Sequence, residues 1–167
     1  MNTSFTNTYV STAQPTVPTD NRAGYSHNLS NPVTIVSENG VTIKLIGYSY
    51  LTTPKRGITI TLQVVNNTQY DLSFFLSDAV IDYTSDSNGL PGSEAANSDY
   101  YGGVEEKVEA GQTGIIYYTL IAQHGAVFNS ATSMDGTIGI YAPAGTRLAG
   151  NKNYFTKSFS NVPIWGD

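Results

Sequence analysis

The sequence predicts an all-β fold, an immunoglobulin-like or jelly-roll antiparallel β-sandwich with an extended N-terminal arm. Three observations predict it. Apolar residues recur at alternate positions, as Ile58, Ile60, Leu62 and Val64 do against Thr59, Thr61 and Gln63, the pattern of a sheet packed on one face. Turn residues punctuate the chain at short intervals. No window carries apolar residues at helical spacing over a useful length.

Residues 1–32 read as a polar arm or linker, and residues 33–167 as the β-sandwich domain. Fifteen of the first 32 residues are Ser, Thr or Asn, three are Pro, and the only charges are Asp20 and Arg22. Such a composition suits a solvated linker. Phe5, Tyr9 and Val10 are apolar anchors that a linker does not need, so the arm is expected to lie along its own domain or a neighbouring subunit.

The strands follow in order. Thr34-Ile35-Val36 leads to Asn39-Gly40, the dipeptide that favours a type I′ hairpin turn, and Val41, Ile43 and Leu45 then alternate with Thr42 and Lys44. Ile58 to Val64 is the next strand, and Leu72, Phe74 and Leu76 continue through Ala79, Ile81 and Tyr83. Thr84 to Gly103, with four Gly and one Pro, reads as a single long loop. Val104 to Glu109 and Ile115 to Ile121 flank a turn at Ala110-Gly111-Gln112. Asp135-Gly136 is expected to open a strand through Ile138 and Ile140, and Asn153 to Phe159 closes the domain, anchored by Val162, Ile164 and Trp165.

Part of this pattern resembles a known family. Val41-Thr42-Ile43-Lys44-Leu45 is followed by Ile60 to Val65 and the turn Asn66-Asn67-Thr68. Leu72 to Leu76 comes next, then Glu109-Ala110-Gly111-Gln112-Thr113 ahead of Ile115-Ile116-Tyr117-Tyr118. Over about residues 39–120 the chain resembles the telokin-like, immunoglobulin-like domains of unknown function of secreted bacterial proteins. The resemblance implies an immunoglobulin-like module. In that family a lipid-anchored cysteine commonly precedes the domain, and this sequence has no cysteine.

Composition excludes several chemistries. The 167 residues suit one domain. Without cysteine there is no disulfide, thiolate zinc site or thiol nucleophile. The net charge of −5 argues against nucleic acid, and no stretch is apolar enough for a membrane span. Residues 71–109 hold nine acids against Lys107, a net of −8, whereas the rest carries +3. The start Met1 to Ser11 lacks the pattern of a signal peptide, so an extracellular or surface location requires that a signal was removed. Otherwise the chain is expected in an assembled particle or filament.

No catalytic constellation stands out. His27 and His124 are the only histidines, no G-x-S-x-G elbow presents a serine, and Glu105 and Glu106 are strand neighbours pointing to opposite faces. The chain reads as a non-enzyme. No motif demands a cofactor. A loose calcium site could draw on Asp82, Asp86, Asn88 and Asp99, although Ala95 occupies the place of the bidentate glutamate of a true calcium loop. Asp residues bonding their own turn backbone are the ordinary reading. Tyr100-Tyr101, in the long loop, is the expected contact patch.

The function expected first is a structural or interaction module of a surface or secreted protein, with a protein partner. The alternative is a self-assembling subunit of a fibre, appendage or capsid whose arm docks on an identical neighbour. A carbohydrate-binding module is the third.

Overall fold

The computed structural model describes residues 23–51, 57–84, 89–98, 106–122 and 131–164. Among these residues the alternating pattern becomes nine strands and no helix. They are β1 (Ala23–Glu38), β2 (Val41–Leu51), β3 (Gly57–Asn66), β4 (Leu72–Tyr83), β5 (Gly92–Ser98), β6 (Glu106–Val108), β7 (Thr113–Ala122), β8 (Ala131–Tyr141) and β9 (Tyr154–Pro163). All belong to one sheet ordered β1-β2-β3-β7-β5-β4-β8-β9, with β6 paired to β4, and every pairing is antiparallel. The all-β expectation holds. The sheet curls into a nearly closed barrel-like layer.

Strand β5 makes the layer continuous. It pairs with β4 from Ala79↔Ala96 to Tyr83↔Gly92 and with β7 from Ala96↔Ala122 to Ser98↔Leu120. The single long loop expected over 84–103 is therefore corrected, because residues 92–98 form this bridging strand. Its sequence, Gly-Ser-Glu-Ala-Ala-Asn-Ser, has little strand propensity, and its neighbours on both sides supply the ladder instead. Strand β4 is the hub: it pairs with β6 through Leu72 to Phe74, with β5 beyond Ala79, and with β8 from Ser73 to Tyr83. Between the β5 and β6 segments Asp78 takes a positive φ of 52°, and the β4–β8 register shifts there.

The Asn39-Gly40 hairpin forms as expected, with φ of 51° and 77° at the two turn residues. Strand β1 starts at Ala23, so the polar segment already pairs with β2 from Ala23 to Asn28, and the register shifts between Asn28 and Val33, the stretch that holds Pro32. Phe5, Tyr9 and Val10 lie outside the described residues. Asp135-Gly136 lies inside β8, which starts at Ala131. Glycine is required there by a close approach: a Cβ would sit 2.8 Å from the Phe159 ring and 3.3 Å from Leu76. Val162 and Ile164 are buried, and Trp165 lies outside the described residues.

One face of the sheet encloses the core. Ile43, Leu45, Ile60, Leu62, Ile116, Leu72, Phe74 and Ile140 are all essentially inaccessible, and they come from both halves of the layer. The outer strands β1 and β9 share no backbone pairing, but Lys157 of β9 meets Glu38 of β1 at 3.2 Å. That ion pair is solvent-exposed and contributes little stability by itself.

The ends of two turns are tied together by one buried side chain. Asn66, at the end of β3, donates from Nδ2 to the carbonyls of Tyr70 (2.8 Å), Val108 (3.1 Å) and Glu109 (3.0 Å). Its Oδ1 accepts from the Thr68 amide at 3.0 Å and the Thr68 hydroxyl at 2.7 Å. Replacing Asn66 by Ala takes a donor from all three carbonyls, leaving Tyr70 only the Thr68 hydroxyl at 3.2 Å, at a cost of roughly 3 kcal/mol. Urea unfolding is expected to show that loss, against about 1 kcal/mol for Thr68→Ala. An Asn66→Ala variant as stable as Thr68→Ala would show that the two turns hold without it.

Candidate functional site

The residues singled out in the sequence divide into two groups. Tyr100, Tyr101, Asp86, Asn88 and Asp99 lie outside the described residues. Asp82 is described, and the sheet accounts for its carboxylate. It accepts from Ser93 of β5, and at 2.8 Å from Ser133 of β8, both of which stand directly opposite it. Among the described residues no group of three side chains gathers to hold a metal ion.

What the structure brings together is a row of aromatic rings on the outward face of β4, β8 and β9. Phe75 is 50% exposed, Tyr141 36% and Tyr154 39%. Alternation puts them there. Their chain neighbours Phe74 and Ile140 are buried, and Phe155 packs on the core, so each ring must face out. Phe75 and Tyr141 meet edge to face with centroids 5.5 Å apart. Tyr141 and Tyr154, opposite each other in the β8–β9 ladder, stack at 5.6 Å with planes 19° apart. The Lys152 ammonium lies 5.5 Å from the Tyr154 ring centre.

Two features hold the row in place. Gly139 lies directly across from Phe75, and a Cβ on it would fall 2.8 Å from the Tyr141 ring. The missing side chain lets that ring lean across the backbone toward Phe75. The β8–β9 connection is also hydrogen-bonded throughout: the Ala142 amide donates to Asn153 at 2.8 Å, Asn153 Nδ2 returns a bond to Ala142 at 3.0 Å, and the Leu148 amide donates to Lys152 at 2.9 Å. Around the rings β4, β8 and β9 place the hydroxyl side chains Ser73, Ser77, Thr137, Thr156 and Ser158 on this face, and the Ser77 hydroxyl donates to Asp78 at 3.1 Å. Thr137 and Ser158 bond each other at 3.0 Å.

Sequence reasoning missed this row, although a signal was present. In Phe74-Phe75, Ile140-Tyr141 and Tyr154-Phe155 a second large residue stands at the position of opposite parity. On a strand with one packed face, that residue has to be exposed.

A second feature lies on the inner side. Glu106 of β6 stands opposite the buried Phe74 and is half-buried, with the Tyr117 amide bonded to its carboxylate. Burial pushes its pKa above the ordinary glutamate range, while the Tyr117 bond pulls it down. The Tyr118 hydroxyl is buried without a hydrogen-bond partner among the described residues, and burial and the Glu106 charge both push its pKa up.

No protein-family model and no curated protein matches the chain. Among solved structures it is similar to a functionally unknown protein from Listeria monocytogenes EGD-e, with 14% identity, a TM-score of 0.42, and coverage of 83% of this chain and 86% of that one. It is also similar to a structural-genomics target at 13% identity and a TM-score of 0.33, covering 86% and 88% of the two chains. No helix among the described residues is long and apolar enough to cross a membrane.

Two expectations follow. Gly139→Ala forces the Tyr141 ring off its seat and loses its contact with Phe75, a loss of about 1 kcal/mol. A weakened near-ultraviolet tyrosine signal with unchanged far-ultraviolet dichroism should accompany it, and an unaltered near-ultraviolet spectrum would contradict the packing described. For Glu106 the raised folded pKa means that the ionised form subtracts stability. The deficit is present above the folded pKa and fades as pH falls toward the unfolded value. Glu106→Gln keeps an acceptor for the Tyr117 amide and removes the charge, so the urea midpoint should rise at neutral pH and match wild type at about pH 3.5. A midpoint lowered at neutral pH would reverse that sign.

Proposed function

We propose that this chain is a non-enzymatic interaction module of a surface or secreted protein. Its two strand groups, β1-β2-β3-β7 and β4-β8-β9, face each other across the core in an immunoglobulin-like manner. The observation that carries the proposal is the row Phe75, Tyr141 and Tyr154. Three large rings stay exposed and ordered on a sheet whose opposite face encloses the core. Exposed aromatic area held rigid before binding loses little conformational entropy when a partner arrives. The turn sequence Asn66-Asn67-Thr68 and the Glu109 to Thr113 turn, the elements shared with the immunoglobulin-like domains of secreted bacterial proteins, support the module reading.

The test is a sedimentation assay with envelopes of the source cells. Fluorescently labelled wild-type chain is expected to sediment with them, and the triple variant Phe75→Ala, Tyr141→Ala, Tyr154→Ala is expected to stay in solution. The fold of the variant is checked by far-ultraviolet dichroism. Equal sedimentation of the two chains, or none of either, would overturn the proposal.

A further inference from the structure

Resting on the interaction-module reading, we infer that the outward face of β4, β8 and β9 binds an extended polysaccharide chain, with sugar rings stacked on Tyr141 and Tyr154 and Phe75 closing the row. Three properties of the face select a glycan over a protein. The first is composition. Between Ser73 and Ser77, Thr137 and Tyr141, and Tyr154 and Ser158, the outward positions hold three rings, one glycine and hydroxyl side chains, with no aliphatic and no charged residue. Aromatic π-faces are negative and attract the C–H-rich faces of pyranose rings, while Ser and Thr hydroxyls both donate to and accept from sugar hydroxyls. A protein-docking face would offer aliphatic side chains around its anchors.

Size is the second property. An aromatic side chain presents about 150–250 Å² in full, so the three exposures leave on the order of 250 Å² open. A stable protein interface needs about 800 Å² from each partner. The three rings by themselves match a ligand a few sugar units long, whereas a protein partner would have to cover much of the face around them as well. The rings lie on three adjacent strands, Phe75 edge to face with Tyr141 at 5.5 Å and Tyr154 nearly parallel to Tyr141 at 5.6 Å, so a short extended chain crossing the strands can reach all three.

Charge is the third. Lys152 beside Tyr154 puts a cation at one end of the row, and the Asp78 carboxylate, bonded to the Ser77 hydroxyl at 3.1 Å, puts an anion at another corner of the face. Neutral and uronate-bearing chains share the pyranose faces that the rings would stack on, and Lys152 adds attraction for the second kind at the Tyr154 end.

Affinity gel electrophoresis tests the inference, with β-glucan, xylan and mannan as neutral arms and polygalacturonate as the acidic arm. At least one polysaccharide is expected to retard the wild-type chain. Tyr141→Ala and Tyr154→Ala should each weaken that retardation at least tenfold, whereas Tyr141→Phe, which keeps the ring, and Tyr117→Ala, on the other half of the sheet, should leave it within twofold. Retardation lost by adding salt identifies the acidic chain as the ligand, and salt-independent retardation identifies a neutral one. No retardation in any arm, or retardation unaffected by Tyr141→Ala and Tyr154→Ala, overturns the glycan assignment. If envelope sedimentation still depends on the rings in that case, the interaction-module reading stands and only its ligand class falls.

Discussion

At one end of the molecule, five hydrogen bonds of a single amide side chain decide how two turns meet. Asn66 ends β3, and its Nδ2 reaches carbonyls of the β3–β4 turn and of the β6–β7 turn, while its Oδ1 fixes Thr68. Neighbouring backbone bonds extend the clamp. The Asn66 amide donates to Gln112, the Asn67 amide to Gly40 of the first hairpin, and the Ala110 amide to Asp71. Carbonyls enclosed in this way cannot turn to water, so each needs a donor from within the protein. Asparagine suits the place because it offers two donor hydrogens and an acceptor from one rigid group. With these turns fixed together, β2, β3, β4, β6 and β7 leave the clamp in set directions, and the period-two alternation of each strand then decides which residues enter the core.

The other constraint is closure. A sheet with two outer strands exposes unpaired backbone groups, and such edges invite strand addition. Here β1 and β9 come alongside each other, and Lys157–Glu38 bridges them at one point. Each edge also carries devices that discourage an added strand. Strand β1 contains Pro32 within a register shift, and β9 contains Lys157, Pro163 and the irregularity near Asn161, where φ is 51° and the amide is taken by Asp135 at 2.7 Å. Strand β5 seals the opposite side, where the β4 and β7 ladders would otherwise part.

How much of this could be read from the sequence depends on what each element needed. Strands that carry their own alternation, β4 above all, were legible, because one buried face imposes period two on the residues themselves; β3 was legible as a strand, but its expected outer face is buried at Thr59 and Thr61. The Asn39-Gly40 turn was legible because positive φ at two successive positions restricts residue choice. Strand β5 was not, since Gly92 to Ser98 owes its conformation to partners on both sides and has no pattern of its own. The start of β1 was hidden similarly: a polar stretch such as Ser26 to Asn28 pairs through its backbone, which composition does not report. For the candidate site, the aromatic emphasis was right in kind and misplaced in position. Tyr100-Tyr101 drew notice as a pair outside any strand, whereas the described rings sit one residue from core positions and looked like more core.

That adjacency also bears on how a rigid binding face can arise at small cost to stability. A ring such as Phe75 shares its backbone with Phe74, whose burial holds the strand in the sheet. The outward ring is therefore positioned by packing on the other side of the same ladder, without contributing to that packing. Cross-strand contacts among Phe75, Tyr141 and Tyr154 add a modest stabilisation, about 0.5–1.5 kcal/mol for each pair. Gly139 works against it slightly, since glycine within a strand is less favourable than a residue with a side chain. Its absent Cβ opens the space into which Tyr141 leans, and a strand selected for stability alone would fill that space. The position of this glycine, directly across from Phe75 and beneath Tyr141, makes the arrangement of the rings a property of the backbone ladder. Such a face is in place before any ligand reaches it.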